Sequence, residues 1–552
     1  MTELALESRD SLVKFPVMST PDDRSLAAID VGTNSIHMVV VKIQPTLPAF
    51  TIISREKATV RLGDRSANGD LTPEAMERAI AALKRCQEIA ASLQVEQILA
   101  VATSAVREAP NGRAFLERVE QELGLWINLI SGQEEARRIY LGVLSGIEFR
   151  NQSHVVIDIG GGSTELILGD GREPISLSST KVGAVRLTAE FVTTDPISNG
   201  EFQTLRAYIR GMLERPVEEM RALLQQQSPP LTPRLVGTSG TIEALAIFHA
   251  KETLGFIPDP LNGYQFSLRD LSEMVNRLRR ANYQERSLFP GMSDKRAEII
   301  LAGAMILQEA MTMLGIDQIA ICERALREGM IVDWMLAHGL IEDHLRYQSS
   351  VRQRSIIRIA QKYQVNLNHS DRVATFALDL FDQTRDSLHT WGGEERELLW
   401  AAAILHNCGH HVNHSAHHKH SYYLIRHGDL LGYTETEIET IANLARYHRK
   451  SPPKKKHESY RNLLSKRHRK VVDQLSALLR VAVALDRRQI GAVSSIYCDY
   501  QPTSRELHLW IRARDPQDTC DLEIWSLNLK KPALEAEYGI TLVPILEHHV
   551  TT

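Results

Sequence analysis

No apolar run in this 552-residue chain reaches the 18 or more residues that a membrane-spanning helix requires. The opening MTELALESRD carries acids where a secretory signal would place positive charge ahead of an apolar segment, so a cytoplasmic protein with no membrane partner is expected. Cysteine is sparse: Cys86, Cys322, Cys408, Cys498 and Cys520 lie far apart with no Cys-x-x-Cys pair. That spacing argues against a zinc ribbon or a disulfide framework and leaves reduced thiols as the expectation. Compositional bias is missing too, since 43% hydrophobic and 24% charged residues are ordinary for a soluble globular chain. The formal net charge of −4 carries no global excess of either sign.

What is present divides into regimes. At roughly 150 residues per domain the length predicts about three or four domains. After a loose extension over 1–24, short β-branched runs such as SLAAIDVG, HMVVVKI, QILAVATSA, HVVIDIG, TELILG and PRLVGTSG alternate with amphipathic segments. This predicts two α/β lobes, over 25–140 and 141–335. Residues 336–492 are helical in pattern almost throughout and predict an all-α domain. IYCDYQP, ELHLWIRA and TCDLEIWSLN then predict strands of a small α+β unit over 493–552.

The lobes repeat a motif. LAAIDVGTNS (26–35) and HVVIDIGGGST (154–164) each end an apolar strand on an Asp, Asp30 or Asp158, followed by glycine and hydroxyls. The candidate phosphate-binding residues are Asp30, Gly32, Thr33, Asn34 and Ser35 in the first turn and Gly160, Gly161, Gly162, Ser163 and Thr164 in the second. A third turn, VGTSGT, adds Gly237, Thr238, Ser239, Gly240 and Thr241 at the start of a helical pattern. Turns without Cβ atoms present several backbone N–H groups to one anion, and a helix N-terminus favours the same charge. A carboxylate aimed at a phosphate repels it unless a cation lies between, so Asp158 and Glu165 are the candidate ligands of Mg²⁺.

Taken together, IDVGTNS, VATSAVREA, ISGQEEAR, IDIGGGSTEL, KVGAVRLTAEF, GTSGTIEA and KRAEIILAGAMIL resemble the exopolyphosphatase/guanosine pentaphosphate phosphatase (Ppx/GppA) family. The lobe repeat is similar to the actin and sugar-kinase superfamily, whose lobes are ribonuclease H-like. The resemblance implies hydrolysis of the terminal phosphoryl group of inorganic polyphosphate to orthophosphate, with pppGpp to ppGpp as a related reaction, and admits a homodimer. It also implies that Glu135, second in the G-x-E-E-A-R pattern, orients or deprotonates water. Arg107 would supply a planar cation to the phosphoryl oxygens. Glu134 is expected on the surface. One departure is Arg324 in ICERALREG, where the family more often has glycine.

The helical domain is similar to HD-type phosphohydrolase modules, whose metal positions correspond to His369, His406 with Asn407, and Asp486. Asn407 replaces a bridging carboxylate with a neutral amide, which weakens attraction for a divalent cation and argues against a working metal centre. From Arg446 to Lys470 the chain carries eleven Lys or Arg, three His and a single acid, Glu458. With polyphosphate as substrate, Arg449, Lys450, Lys454, Lys455 and Lys456 in this block, joined by Lys181 and Arg296 in the lobes, become a candidate polyanion track. Arg186 and Arg296 read equally well as interdomain ion pairs. A kinase would need an acceptor site that no motif supplies, and a non-catalytic polyphosphate or alarmone binder would not need Glu135. A nucleic-acid binder would need more aromatics in the basic block than Tyr447 and Tyr460.

Overall fold

The computed structural model describes residues 24–44, 49–150, 152–172, 174–226, 233–341, 351–428, 430, 432–463 and 465–547. The extension expected at the N-terminus lies outside them, apart from Arg24. The chain separates into two compact units, 1–351 and 352–552.

The first unit holds two sheets built on one plan. Strands β1 (Arg24–Val31), β2 (Ser35–Gln44) and β3 (Ala49–Thr59), helix α1 (Pro73–Ser92), β4 (Gln97–Ala102), the single turn α2 (Ser104–Arg107), α3 (Gly112–Leu123) and β5 (Asn128–Leu129) form the first, in order β3-β2-β1-β4-β5. Helix α4 (Gly132–Leu144) leads into β6 (His154–Ile159), β7 (Thr164–Gly169), β8 (Ser176–Thr180), α5 (Ala184–Phe191), α6 (Asn199–Gln225) and β9 (Arg234–Thr238). Then come α7 (Gly240–Leu254), β10 (Gln265–Ser267), α8 (Leu268–Arg280), α9 (Tyr283–Ser287), α10 (Asp294–Ala297), α11 (Ile300–Leu314), β11 (Gln318–Ile321) and α12 (Leu326–Ala337). The second sheet runs β10-β11-β9-β6-β7-β8. In each sheet two antiparallel pairings lead into two parallel ones, β1 with β4 and β4 with β5 in the first, β6 with β9 and β9 with β11 in the second.

β1 and β6 are covered on both faces, which is why their sequences run almost continuously apolar until the aspartate. Helix α4 packs on β7 and β8, while α12, from the other end of the unit, packs on β1 and β2. Both helices bury Ile139, Tyr140, Ile331 and Trp334 in one cluster with Val39, Val156 and Ile167 from the two sheets. They can cross so closely only because Gly142 and Gly329 lack side chains. A Cβ on Gly142 would lie 1.9 Å from the Ala325 carbonyl oxygen, and one on Gly329 1.7 Å from that of Arg138.

In the second unit, α13 (Val351–Lys362), α14 (Leu367–Gln383), α15 (Gly393–Leu405), α16 (His417–Arg426), α17 (Glu435–Tyr447), α18 (Glu458–Arg461) and α19 (Lys466–Leu485) precede β12 (Val493–Gln501), β13 (Glu506–Ala513), α20 (Asp521–Tyr538) and β14 (Thr541–Leu546). The three strands pair in the order β12-β13-β14 and share one core with the helices. The segment TCDLEIWSLN, expected as a strand, is instead the start of α20. Its Ile and Trp favour a strand locally, but Glu523, Ser526, Leu527 and Leu534 are the residues buried, a helical spacing.

Candidate active site

The repeated turns fold alike. Gly32 N–H donates to the Ser35 carbonyl at 3.2 Å and Gly160 N–H to that of Ser163 at 2.9 Å. The two turns meet: a Cβ on Gly161 would lie 3.0 Å from Thr33 Cβ, and one on Gly162 2.5 Å from Ser104 Oγ. Small residues here let the lobes approach closely. At the third turn Ser239 caps α7 with φ +100, a strained conformation for a residue with a side chain, and accepts from Ile242 N–H.

These turns wall a cavity of about 170 Å³. From the expected sets it is lined by Asp30, Gly32, Thr33, Asn34, Ser35, Glu135, Asp158, Gly160, Gly161, Gly162, Ser163, Ser239, Gly240, Thr241 and Arg296. Thr164, Gly237 and Thr238 do not line it. Thr164 Oγ1 donates to the Val182 carbonyl, Thr238 Oγ1 donates to that of Arg324 at 3.2 Å, and Gly237 packs against Ile242 and Ile319. Glu165 also stands behind the wall, accepting from Ser179 Oγ at 2.7 Å. Lys181 is exposed and lies 3.6 Å from Glu108, to which Arg186 also pairs at 2.6 Å while donating to the Gly162 carbonyl. Arg186 therefore ties the lobes together and braces the second glycine turn.

Helix α4 starts at a serine cap, Ser131, and carries both glutamates in its first turn. Glu134 faces outward and pairs with Arg137 and Arg138. Glu135 is buried, and its Oε2 accepts from Arg107 Nη1 at 3.1 Å. Arg107 is fixed in turn by the Ile130 carbonyl at 2.8 Å. The second oxygen, Oε1, makes no hydrogen bond among the described residues. Burial, then the negative charge of Glu165, holds the Glu135 carboxyl well above the usual range in spite of Arg107.

The other carboxyls follow. Burial, reinforced by Glu165 and Asp30, raises Asp158 well above its ordinary value, and burial pushes Asp30 up to about 6 and Glu165 to about 7. Asp30 Oδ1 is buried with no hydrogen-bond partner among the described residues. Crowded carboxylates lacking donors fit a divalent cation. No three His, Cys, Asp or Glu side chains converge on a metal position among the described residues; Mg²⁺ is an ion usually held by one or two carboxylates with water and substrate phosphate as the remaining ligands.

Sheet register explains residues that sequence reading missed. Asp30, His37 and Lys57 lie side by side across β1, β2 and β3, as Asp158, Glu165 and Ser179 do across β6, β7 and β8. His37, Lys57, Ser104 and Arg327 all line the cavity. Ser104 and Arg327 sit inside the quoted TSAVREA and ALREG runs, whereas Lys57 has no local signal. Arg324, at the position where glycine was expected, has no positive φ; its guanidinium donates to Ser145 Oγ at 3.0 Å and lies over the Phe50 ring.

In the second unit Asp486 is fully engaged, accepting from His369 Nδ1 at 2.7 Å, Arg372 Nε at 3.0 Å and Gly491 N–H at 2.9 Å. His406 is buried, donating Nδ1–H to the Ala403 carbonyl, with Nε2 unpartnered among the described residues. The basic block splits: Arg449 reaches His417, while Lys450, Lys454, Lys455 and Lys456 are exposed.

Residues 39–338 match the family model described as the Ppx/GppA phosphatase family, and residues 351–531 match that of Ppx/GppA phosphatase, domain III. Among solved structures, an exopolyphosphatase from Cytophaga hutchinsonii is 26% identical, with 57% of this chain and 98% of that one covered and a TM-score of 0.53. A family member from Aquifex aeolicus is 27% identical over 57% of this chain and 99% of its own, with a TM-score of 0.49.

Proposed function

This chain belongs to the Ppx/GppA phosphatase family, a phosphoanhydride hydrolase by that membership, and from that premise we propose that it removes the terminal phosphoryl group of inorganic polyphosphate. The observation that carries this substrate is the cavity wall. Its lining is mostly glycine turns, hydroxyls, carboxyls and cations, with Ile139, Ile159, Ile299 and Leu326 as its larger apolar members, and no Phe, Tyr or Trp contributes among the described residues. At about 170 Å³ the space is below the roughly 300–1,000 Å³ usual for drug-sized ligands, so it suits phosphate groups better than a guanosine. pppGpp is the second reading, since it presents the same terminal phosphate.

The backbone N–H groups of the three turns bind the terminal phosphate and Arg107 stabilises charge on its oxygens. Glu135 Oε1 takes the proton of the attacking water. Burial raises its pKa above that of an exposed glutamate, which makes the carboxylate form a stronger base. Arg107, held on Oε2, fixes the carboxylate's orientation. Asp158, with Asp30 beside it, would hold Mg²⁺, which supplies charge neutralisation on the phosphoryl oxygens. The exposed lysines of the basic block extend the reading to long chains as a polyanion track on the second unit.

The test is phosphate release from long polyphosphate, tripolyphosphate, pppGpp and ATP, measured side by side with Mg²⁺ and with chelator. Polyphosphate turned over fastest and only with Mg²⁺ is the expected result. Turnover of pppGpp with polyphosphate inert would move the assignment to the second reading.

A further inference from the structure

Lys57, Arg296 and Arg327 line the cavity, and none of them makes an ion pair with a carboxylate among the described residues. Arg296 reaches the Thr241 hydroxyl at 3.3 Å, and Arg327 Nη1 lies 3.4 Å from His37 Nδ1. Arginine only donates, so His37 accepts at Nδ1 and carries its proton on Nε2. Burial, then the charge of Arg327, pushes His37 down to about 3, so it is a neutral acceptor that aims Arg327 rather than a fourth cation.

These cations are crowded, with acids near them but none in an ion pair with them among the described residues. Burial, then Arg296, lowers Lys57 from its ordinary value, and Lys295 and Arg327 add to the effect. The acid acting on Lys57 is Glu243, itself pushed by burial up to about 7 and so only partly charged near neutrality. Arg327 also acts on Asp30 and Asp158, and Glu328 accepts from the Ala325 N–H. Like charges held together in a partly buried wall raise the energy of the empty site and lower it once a polyanion arrives. The charges that act most on Glu135 are a different set, Glu165, Arg107 and Asp30. Within one cavity the three cations thus stand apart from the base, while Arg327 is also the cation that acts most on Asp30.

In-line displacement gives the base and the three cations different tasks. The water oxygen bonds to the terminal phosphorus and its proton passes to Glu135. The bond from that phosphorus to the bridging oxygen breaks, and the electron pair stays on the departing chain. Attacking and leaving oxygens lie on opposite sides of phosphorus, and the leaving side gains negative charge in a loose transition state. We propose that Lys57, Arg296 and Arg327 hold the departing phosphate chain, with His37 positioning Arg327. This rests on the phosphohydrolase reading above but is independent of which phosphate chain is the substrate.

The test separates the two tasks by ligand length. In a Glu135→Gln background, binding of orthophosphate, which occupies only the terminal position, is compared calorimetrically with binding of tripolyphosphate. Lys57→Met and Arg327→Met should each weaken tripolyphosphate about ten- to a hundredfold, the scale of a lost charged hydrogen bond, and leave orthophosphate within about twofold. Arg107→Met should weaken both. Lys57→Arg should restore most of the tripolyphosphate affinity, as should His37→Asn relative to His37→Phe, and circular dichroism should be unchanged throughout. Equal losses on both ligands, or tripolyphosphate binding within about twofold of the parent, would overturn the assignment. If the ligand pattern holds while the unmutated enzyme hydrolyses neither polyphosphate nor pppGpp, the cationic wall stands and the proposed function fails.

Discussion

The carboxyls of the cavity in the first unit and Asp486 in the second are buried in opposite ways. In the first, Asp30, Glu135, Asp158, Glu165 and Glu243 are all raised by burial, and Asp30 keeps a buried oxygen without a donor. In the second, Asp486 is buried too, but hydrogen bonds from His369, Arg372 and Gly491 outweigh that burial and lower its pKa. Its neighbours are imidazoles, with His406, His417 and His448 all lowered by burial. A buried carboxyl without donors is destabilising unless a ligand completes it, whereas one with three donors is already complete. The first arrangement is that of a site and the second that of a structural brace.

The sharpest way to break the comparison is to mutate one carboxylate from each unit. Glu135→Gln is nearly isosteric and cannot take a proton from water, so kcat should fall about 10²- to 10⁴-fold while tripolyphosphate still binds. Wild-type kcat would remove Glu135 from the chemistry. Asp486→Ala should do the reverse. It strands His369 and Arg372 around a buried vacancy and should destabilise the second unit by about 3–5 kcal/mol, the usual scale for breaking a buried pair, with kcat on tripolyphosphate within about twofold. If kcat collapsed while the unit stayed folded, the second unit would hold part of the reaction centre.

How much of this was legible in the sequence follows from how local each signal is. Asp30, Asp158 and the glycine turns could be read because strand, acid and turn are contiguous. Glu135 and Arg107 could be read because a single helix start and a single turn place them. Lys57 could not, since it meets Asp30 only through the pairing of three strands and lies in the edge strand β3, whose Arg55, Glu56 and Lys57 read as a solvated run. Thr164 and Thr238 were assigned by position in a motif, yet alternation along the strands turns both hydroxyls into the sheet. Strand propensity in the terminal unit misled for a related reason: α20 is decided by which residues meet the helical core, not by its Ile and Trp.

A smaller effect, of opposite sign in the two units, would sharpen the comparison. Asp30 is raised from 3.8 to about 6, and Glu165 and Glu243 from 4.5 to about 7. The native first unit therefore holds protons that the unfolded chain has released, and these three carboxyls outnumber its own buried His37 and His154, which are lowered from 6.5 to about 3 and about 4 and act in the opposite direction. The stability the carboxyls contribute is full below about pH 4 and is lost as pH rises through 6 to 7. In the second unit His406 and His417 are lowered from 6.5 to about 3 and His418 to about 4. There the unfolded chain takes up protons that the native state refuses, so the contribution is full above about pH 6.5 and is lost as pH falls towards 4 and 3. Between pH 8 and pH 5, with chelator present and no substrate, the first unit should melt higher and the second lower, each by roughly 2–4 °C per kcal/mol of change for units of this size. Hydrogen exchange resolved by peptide during a thermal ramp assigns each transition to its unit. Both units moving in the same direction would mean that other titrating groups outweigh the buried carboxyls or the buried imidazoles, and the contrast between site and brace would lose its electrostatic basis.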